Sequence, residues 1–383
     1  MNKSILPLAS ACLALSILWP AAVLGQPGSW QAERDAAVAA YWAGDYAAAE
    51  QHLLSAIDRT EAFGLRDPRL AATLNDLALT YFRLGRYADA EPLHQRALKI
   101  RERVFGPDHP LVAATLNDLA FLYVAQGRTT EADPLHKRAL EIREKAFGPE
   151  HPEVAKSLNN IGSLYLELER YVEAEALYQQ ALGIVGKTLG EEHPYMVASL
   201  NNLAALYDEQ GRYPEAEPLY LQALGMAEKI LGTEHPQVAA SMNNLALHYD
   251  AQGRYDEAEP LYLKALGITR KTLGAEHPDV AASLDHLGVL YAAQGKFEQA
   301  ESLQRQALEI RRMKLGPGHP LVAQSLQNYA ALLMQTGRAD EARRAQVLAA
   351  AIRAKMVQAN RAAPVALEKK PGRPAVMRVV VPG

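Results

Sequence analysis

Six His-Pro pairs, His109-Pro110, His151-Pro152, His193-Pro194, His235-Pro236, His277-Pro278 and His319-Pro320, stand at equal intervals of 42 residues. A fixed period of this size signals a solenoid, in which each unit packs only on its neighbours. Within the unit after His193, Leu200, Leu203, Ala204 and Tyr207 fall at i, i+3, i+4 and i+7, one stripe of an amphipathic helix. We term this helix A. After Gln210-Gly211-Arg212, the residues Ala216, Leu219, Tyr220, Ala223, Leu224 and Ala227 repeat the spacing and predict a second helix, B, folded back on the first. Pro218, with Pro92, Pro134 and Pro260 in its place elsewhere, is expected in the first turn of helix B, where no hydrogen bond is lost. Leu231-Gly232 closes helix B and Pro236 opens the next helix A.

These residues resemble the tetratricopeptide repeat in its longer, kinesin-light-chain-like form. The matching pattern is Leu200-Asn201-Asn202-Leu203-Ala204, Tyr207, Gly211, Tyr213, Ala216, Tyr220, Ala223-Leu224, Leu231-Gly232 and His235-Pro236. The resemblance implies an all-α, right-handed α-solenoid of about eight stacked antiparallel helix pairs. It also implies a binding scaffold with no particular chemistry. The expected repeats span 31–64, 68–106, 110–148, 152–190, 194–232, 236–274, 278–316 and 320–358, within an array from 26 to 360. The first is degenerate, as a terminal repeat lacking one neighbour should be. Repeat 4 has Glu169-Arg170 in place of the inter-helix Gly-Arg, and a slightly tighter turn is expected there.

Residues 1–25 carry Lys3, an apolar run from Ile5 to Leu24 and small residues before Gln26, the pattern of a secretory signal peptide cleaved near Gly25. The chain is therefore expected to be exported, with the periplasm as the first choice and a secreted or membrane-anchored form as the alternative. Cys12 is the only cysteine, so the mature chain would have no disulfide or thiol nucleophile. Residues 361–383 are Pro-rich and basic, without helical period, and are expected to be disordered.

No phosphate loop, nucleophile elbow or metal-binding motif occurs, so the expectation is a protein that is not an enzyme and takes no cofactor. The six periodic histidines are too far apart to share a metal, since stacked helices lie on the order of 10 Å apart. They are expected to pack at the loops and help start helix A. His94 and His136, standing where later repeats have Tyr178, Tyr220 and Tyr262, are expected to pack likewise.

The candidate site is polar and lies on helix A. Asn75, Asn117, Asn159, Asn160, Asn201, Asn202, Asn243 and Asn244 recur between the two leucine-type core positions. The resemblance implies that helix A lines the concave groove and that such asparagines bind the backbone of an extended peptide. An amide offers the donor and the acceptor that a peptide unit needs, whatever its side chain. The alternative is that these amides bridge adjacent repeats. Asp208 and Asp250 lie further round the same face and favour a basic or neutral segment over an acidic one.

Residues 26–337 carry a net charge of −12 and residues 338–383 one of +7. The array would repel phosphate, so nucleic acid is not expected there. The basic C-terminal segment could contact an anionic envelope surface or the chain's own acidic array. The reading that follows is an exported adaptor for peptide segments or protein partners of unknown identity. A structural assembly protein of the cell envelope, acting through repeat edges or its basic end, is the alternative.

Overall fold

The computed structural model describes residues 29–61, 67–190 and 192–362. The expected signal peptide and most of the expected tail lie outside them. The chain begins with α1 (Trp30–Trp42), α2 (Tyr46–Glu61), α3 (Pro68–Arg83), α4 (Tyr87–Phe105), α5 (Pro110–Ala125), α6 (Thr129–Phe147), α7 (Pro152–Glu167) and α8 (Tyr171–Leu189). It continues with α9 (Pro194–Glu209), α10 (Tyr213–Leu231), α11 (Pro236–Ala251), α12 (Tyr255–Leu273), α13 (Pro278–Ala293), α14 (Phe297–Leu315), α15 (Pro320–Gln335) and α16 (Ala339–Ala362). Odd-numbered helices are A, even-numbered ones B, and each pair packs antiparallel and against the next.

The termini of these helices follow from a few residues. Each periodic histidine is an N-cap: Nδ1 of His109, His151, His193, His235, His277 and His319 accepts the N–H two residues on, at 3.0–3.2 Å. The following proline takes the first helical position, where it has no bond to lose. The pairs approach closely because Ala90, Ala132, Ala174, Ala216, Ala258 and Ala300 occupy the contact and are fully buried. A larger side chain there would force the helices apart.

Two expectations require correction. Pro92, Pro134, Pro218 and Pro260 lie inside helix B, not in its first turn, because the helix starts directly after Arg86, Arg128, Arg212 and Arg254. Each therefore forgoes one helical hydrogen bond. The turn at Glu169 is no tighter than the rest: Glu169 takes the same left-handed backbone, φ 58°, and Arg170 N–H reaches Tyr165 O at 2.8 Å, as Arg212 N–H does Tyr207 O. The hydrogen bonds of the turn hold Glu169 in a conformation that costs a non-glycine residue about 1–2 kcal/mol.

The array also closes on itself. His319 Nε2–H donates to Arg83 O at 3.0 Å, joining repeat 8 to repeat 2. Tyr41 and Tyr46 of repeat 1 pack with Leu315 of repeat 7. The inter-helix turns of repeats 1 and 2 are seated on the His-Pro loops of repeats 7 and 8, so one turn of the superhelix takes six repeats. A Cβ on Gly44 would lie 2.8 Å from the His277 and Pro278 rings, and one on Gly85 2.6 Å from Pro320. His277 and His319 are accordingly buried, whereas the four earlier periodic histidines are only half-buried.

Gly85 and Gly211 both have positive φ, 68° and 72°, but no atom lies within 4 Å of a Cβ on Gly211. Gly211→Ala should cost only the backbone strain, about 1–2 kcal/mol. Gly85→Ala should cost more and also unseat repeat 2 from repeat 8. Small-angle scattering should then show a larger radius of gyration for Gly85→Ala alone. Equal radii for the two variants would mean that the seam does not hold the superhelix closed.

Candidate peptide-binding groove

Helix A presents the candidate residues, and the structure divides them into two sets. Asn75, Asn117, Asn159 and Asn160 are buried, and their amides tie one repeat to the next. Asn75 Nδ2 donates to Asp118 Oδ2 at 2.9 Å, Asn160 Nδ2 to Asn117 Oδ1 at 3.0 Å and Asn159 Nδ2 to Ser199 Oγ at 2.8 Å. Two of them also hold buried histidines through Oδ1: His94 Nδ1 meets Asn75 at 2.9 Å and His136 Nδ1 meets Asn117 at 2.8 Å. For these four asparagines the structure shows the bridging arrangement in place of an open groove. Asn328 Nδ2 donating to Asp285 Oδ2 at 3.1 Å continues the series in repeats 7 and 8.

In repeats 5 and 6 the amides are half-exposed. Asn201 Nδ2 turns back to Val197 O at 2.9 Å, Asn243 Nδ2 reaches Ser283 Oγ at 3.4 Å and Asn244 Nδ2 reaches Asn201 Oδ1 at 3.3 Å. Asn201 Nδ2 also reaches Ser241 Oγ at 3.5 Å, so these bonds between repeats 5, 6 and 7 are all long, and Asn244 keeps donor and acceptor capacity unused. Asn202 is half-exposed in the same row of helix-A positions. The groove in these repeats is walled by Asp208 and Asp250, both half-buried. Burial pushes the Asp250 carboxyl up to about 6, with no counter-charge to offset it.

Asp208 is held from behind by His248, a residue the sequence reading missed. His248 is fully buried at a position where the adjacent repeats have Leu206 and Leu290, and its Nδ1 lies 2.6 Å from Asp208 Oδ1. Burial raises the Asp208 carboxyl, and the His248 and Tyr220 hydrogen bonds oppose that shift. The available signal was a polar residue in register with a row of leucines.

A second periodic feature also went unread. Arg254 of repeat 6 lies 4.2 Å over the Tyr249 ring and pairs with Glu217 of repeat 5 at 2.7 Å, while Tyr249 Oη donates to the same Glu217 at 3.1 Å. The same clasp joins Arg128 to Glu91 at 2.7 Å and Arg212 to Glu175 at 3.1 Å, and its ion pair recurs without the stacked ring between Arg338 and Glu301 at 2.8 Å, where Leu333 replaces the tyrosine. It explains why Arg and Tyr recur around the inter-helix turn: stacked and bidentate arginines lock neighbouring repeats. Repeat 4 lacks the cross-repeat bond, since Asp133 of repeat 3 is a methylene shorter and pairs with Lys137 at 2.8 Å.

Among the described residues no group of three or more His, Cys, Asp or Glu is placed to hold a metal. A cavity of about 460 Å³ opens between α14, α15 and α16, lined by Arg305, Arg312, Arg338 and Arg344 together with Glu309 and Glu341, over Leu308 and Tyr329. It forms because Ala345 stands where the preceding repeat has Leu303.

Comparison with known proteins agrees with this architecture. No curated protein matches the chain. Among solved structures, it is 34% identical to the nearly identical TPR-like repeats of a putative kinesin light chain from Podosopora anserina, over 54% of this chain and 97% of that one, with a TM-score of 0.44. It is 24% identical to BtubC (BKLC) from P. vanneervenii, over 61% and 92% of the two chains, with a TM-score of 0.49. The apo form of RapI shares the fold at 18% identity and a TM-score of 0.53, over 74% and 97%. The tetratricopeptide repeat pattern itself matches seven overlapping stretches, residues 31–101, 69–145, 111–187, 161–229, 195–271, 237–313 and 286–355. Solenoids of this kind are generally protein–protein interaction scaffolds, and with its repeats matched from residue 31 to residue 355 this chain belongs to the tetratricopeptide repeat family, in its kinesin-light-chain-like form.

Proposed function

We propose that the protein is an exported adaptor that binds an extended, basic peptide segment of a protein partner along helix A of repeats 5 and 6. The observation that carries this reading is Asp250, a half-buried carboxylate with no counter-charge, beside a row of half-exposed amides. A bound Lys or Arg would supply the missing charge, and Asn202 and Asn244 would take the peptide backbone. Export rests on the apolar stretch of residues 1–25, and the periplasm is the compartment we favour.

The reading is tested with immobilised peptide sets graded from acidic to basic. Basic extended peptides should be retained preferentially, and retention should weaken with salt. Asn202→Ala with Asn244→Ala should keep the helical circular dichroism signal and lower affinity roughly 5- to 100-fold, at about 0.5–1.5 kcal/mol per lost hydrogen bond. Asp250→Asn should remove the charge preference. Equal retention across the charge series, or unchanged affinity in folded variants, would refute the groove assignment.

A further inference from the structure

The contact that closes the superhelix is made by two edges that recur in every repeat. One edge is the row of inter-helix turns. The other is the row of His-Pro loops together with the last residue of helix B. Among the described residues, only repeats 1 and 2 on the first edge, and repeats 7 and 8 on the second, are engaged within the chain. The turns of repeats 3 to 8 and the loops of the earlier repeats face outward, at opposite ends of the superhelix.

Equivalent positions separate covered from uncovered edge. On the turn edge, Tyr46 in the seam is 2% exposed while its counterpart Phe297 is 37% exposed. On the loop edge, Leu315 in the seam is 7% exposed, against 42% for Phe147 and 36% for Leu189. The apolar groups that seal the seam are thus displayed again where nothing covers them. The turns are likewise vacant, since a Cβ on Gly211, Gly253 or Gly295 meets no atom within 4 Å.

We propose that these edges dock a second copy of this chain, which continues the superhelix by the same six-repeat offset. The register then has no free choice. Repeat 1 of the added copy follows repeat 8, so Gly211 receives the His109 loop of the second copy, Gly253 the His151 loop and Gly295 the His193 loop. Glu169, the turn residue that is not glycine, falls opposite Asp67-Pro68, so this one contact carries a Cβ and two carboxylates and must sit further apart than the glycine contacts.

The two chain ends agree with this register. Arg343 stands where repeat 7 carries Glu301, the acid of the inter-repeat clasp, and Asp45 stands where repeat 2 carries the clasp residue Arg86. Across the junction the clasp would re-form with its charges exchanged. The end faces are otherwise polar, with Glu33 in the place of Leu74, so the two edges supply the apolar contact. Such a contact joins different surfaces of identical chains and does not close, so it builds an open stack. It does not depend on whether the groove is occupied.

The test is light scattering behind size exclusion, with the purified chain over a wide concentration range. The mass should rise with concentration without a plateau at the dimer. Phe147→Glu spoils the loop edge and Phe297→Glu the turn edge, and each should weaken association about tenfold or more, since a charge would be buried unpaired. The decisive sample is an equal mixture of the two variants. Each keeps one sound edge, so the mixture should form dimers of one chain of each kind and nothing larger. Leu189→Lys serves as the loop-edge variant if Phe147→Glu melts early. A constant monomer mass for the unmodified chain, a closed dimer that both variants still form, or a mixture no heavier than either variant alone would each overturn the proposal.

Discussion

Asp285→Ala should destabilise the protein by about 3–5 kcal/mol, because it strands a buried cation. Arg311 NH1 donates to Asp285 Oδ2 at 2.7 Å, to Ser325 Oγ at 2.5 Å and to Leu321 O at 3.3 Å, and both members of the ion pair are buried. Taking away the carboxylate leaves a buried guanidinium with neutral partners only. The apparent melting temperature should fall by roughly 5–15 °C.

The chain itself provides the control. Repeat 6 has Asn243 and Thr269 at the positions of Asp285 and Arg311, and repeat 5 has Asn201 and Ala227. Asp285→Asn combined with Arg311→Thr should therefore be nearly neutral, because both charges leave the interior together. Urea unfolding of the two single variants and the pair checks this. A loss in the pair as large as in either single variant would show that the ion pair contributes net stability, and additive losses would show that the two residues are not coupled.

Stability should fall steeply as pH drops from about 6.5 toward 4. Burial pushes His94 down to about 3 and His136, His286 and His319 to about 4, from an ordinary 6.5. For His94 and His136 the cause is visible: Nδ1 is engaged by an asparagine, while the buried Nε2 has no partner and could not solvate a proton. His319 is fixed as the neutral tautomer by Nδ1 accepting from Leu321 N–H and Nε2–H donating to Arg83 O.

The direction follows from linkage. Below pH 6.5 the unfolded chain takes up protons at these four sites and the folded chain does not, so stability present above 6.5 is lost as pH falls toward the folded values. Asp118 and Asp250, both raised to about 6 by burial, work the other way, because the folded chain takes up their protons first. His193 and His277, lowered by the same cause, add to the four histidines, and Asp76, Glu167 and Asp208, raised by burial, add to the two carboxyls, so the slope is their difference, about 1.4 kcal/mol per pH unit for each proton in excess on the unfolded chain. Urea midpoints measured between pH 4 and pH 7 test the slope. His94→Gln with His136→Gln should flatten it, and an unchanged slope would place the acid sensitivity elsewhere.

The asparagines show where sequence reading reached its limit. Their position on helix A and their regular spacing are local properties, and both are present in the structure. Whether an amide faces the groove or a neighbouring repeat depends on partners elsewhere in the chain. Asn117 is consumed by His136, which stands where later repeats have tyrosine, and by Asn160 of the next repeat. At the equivalent Asn201, Tyr220 replaces the histidine, and the amide of Asn244 approaches only to 3.3 Å.

The sequence alone determined what lies within one unit and its immediate neighbour: two helices per 42 residues, His-Pro at the A-helix starts of repeats 3 to 8, Gly at the B-helix ends of repeats 2 to 7, and alanines where the helices touch. In a solenoid these contacts are short-range, so the repeat states them once per period. Tertiary structure alone decided that six repeats complete a turn and that Gly44 and Gly85 come to rest on His277-Pro278 and Pro320. The small rotation between successive repeats is set by packing at every junction and accumulates around the array. A change of a few degrees at each would move repeat 8 away from repeat 2, and no residue pattern within a single period records that sum.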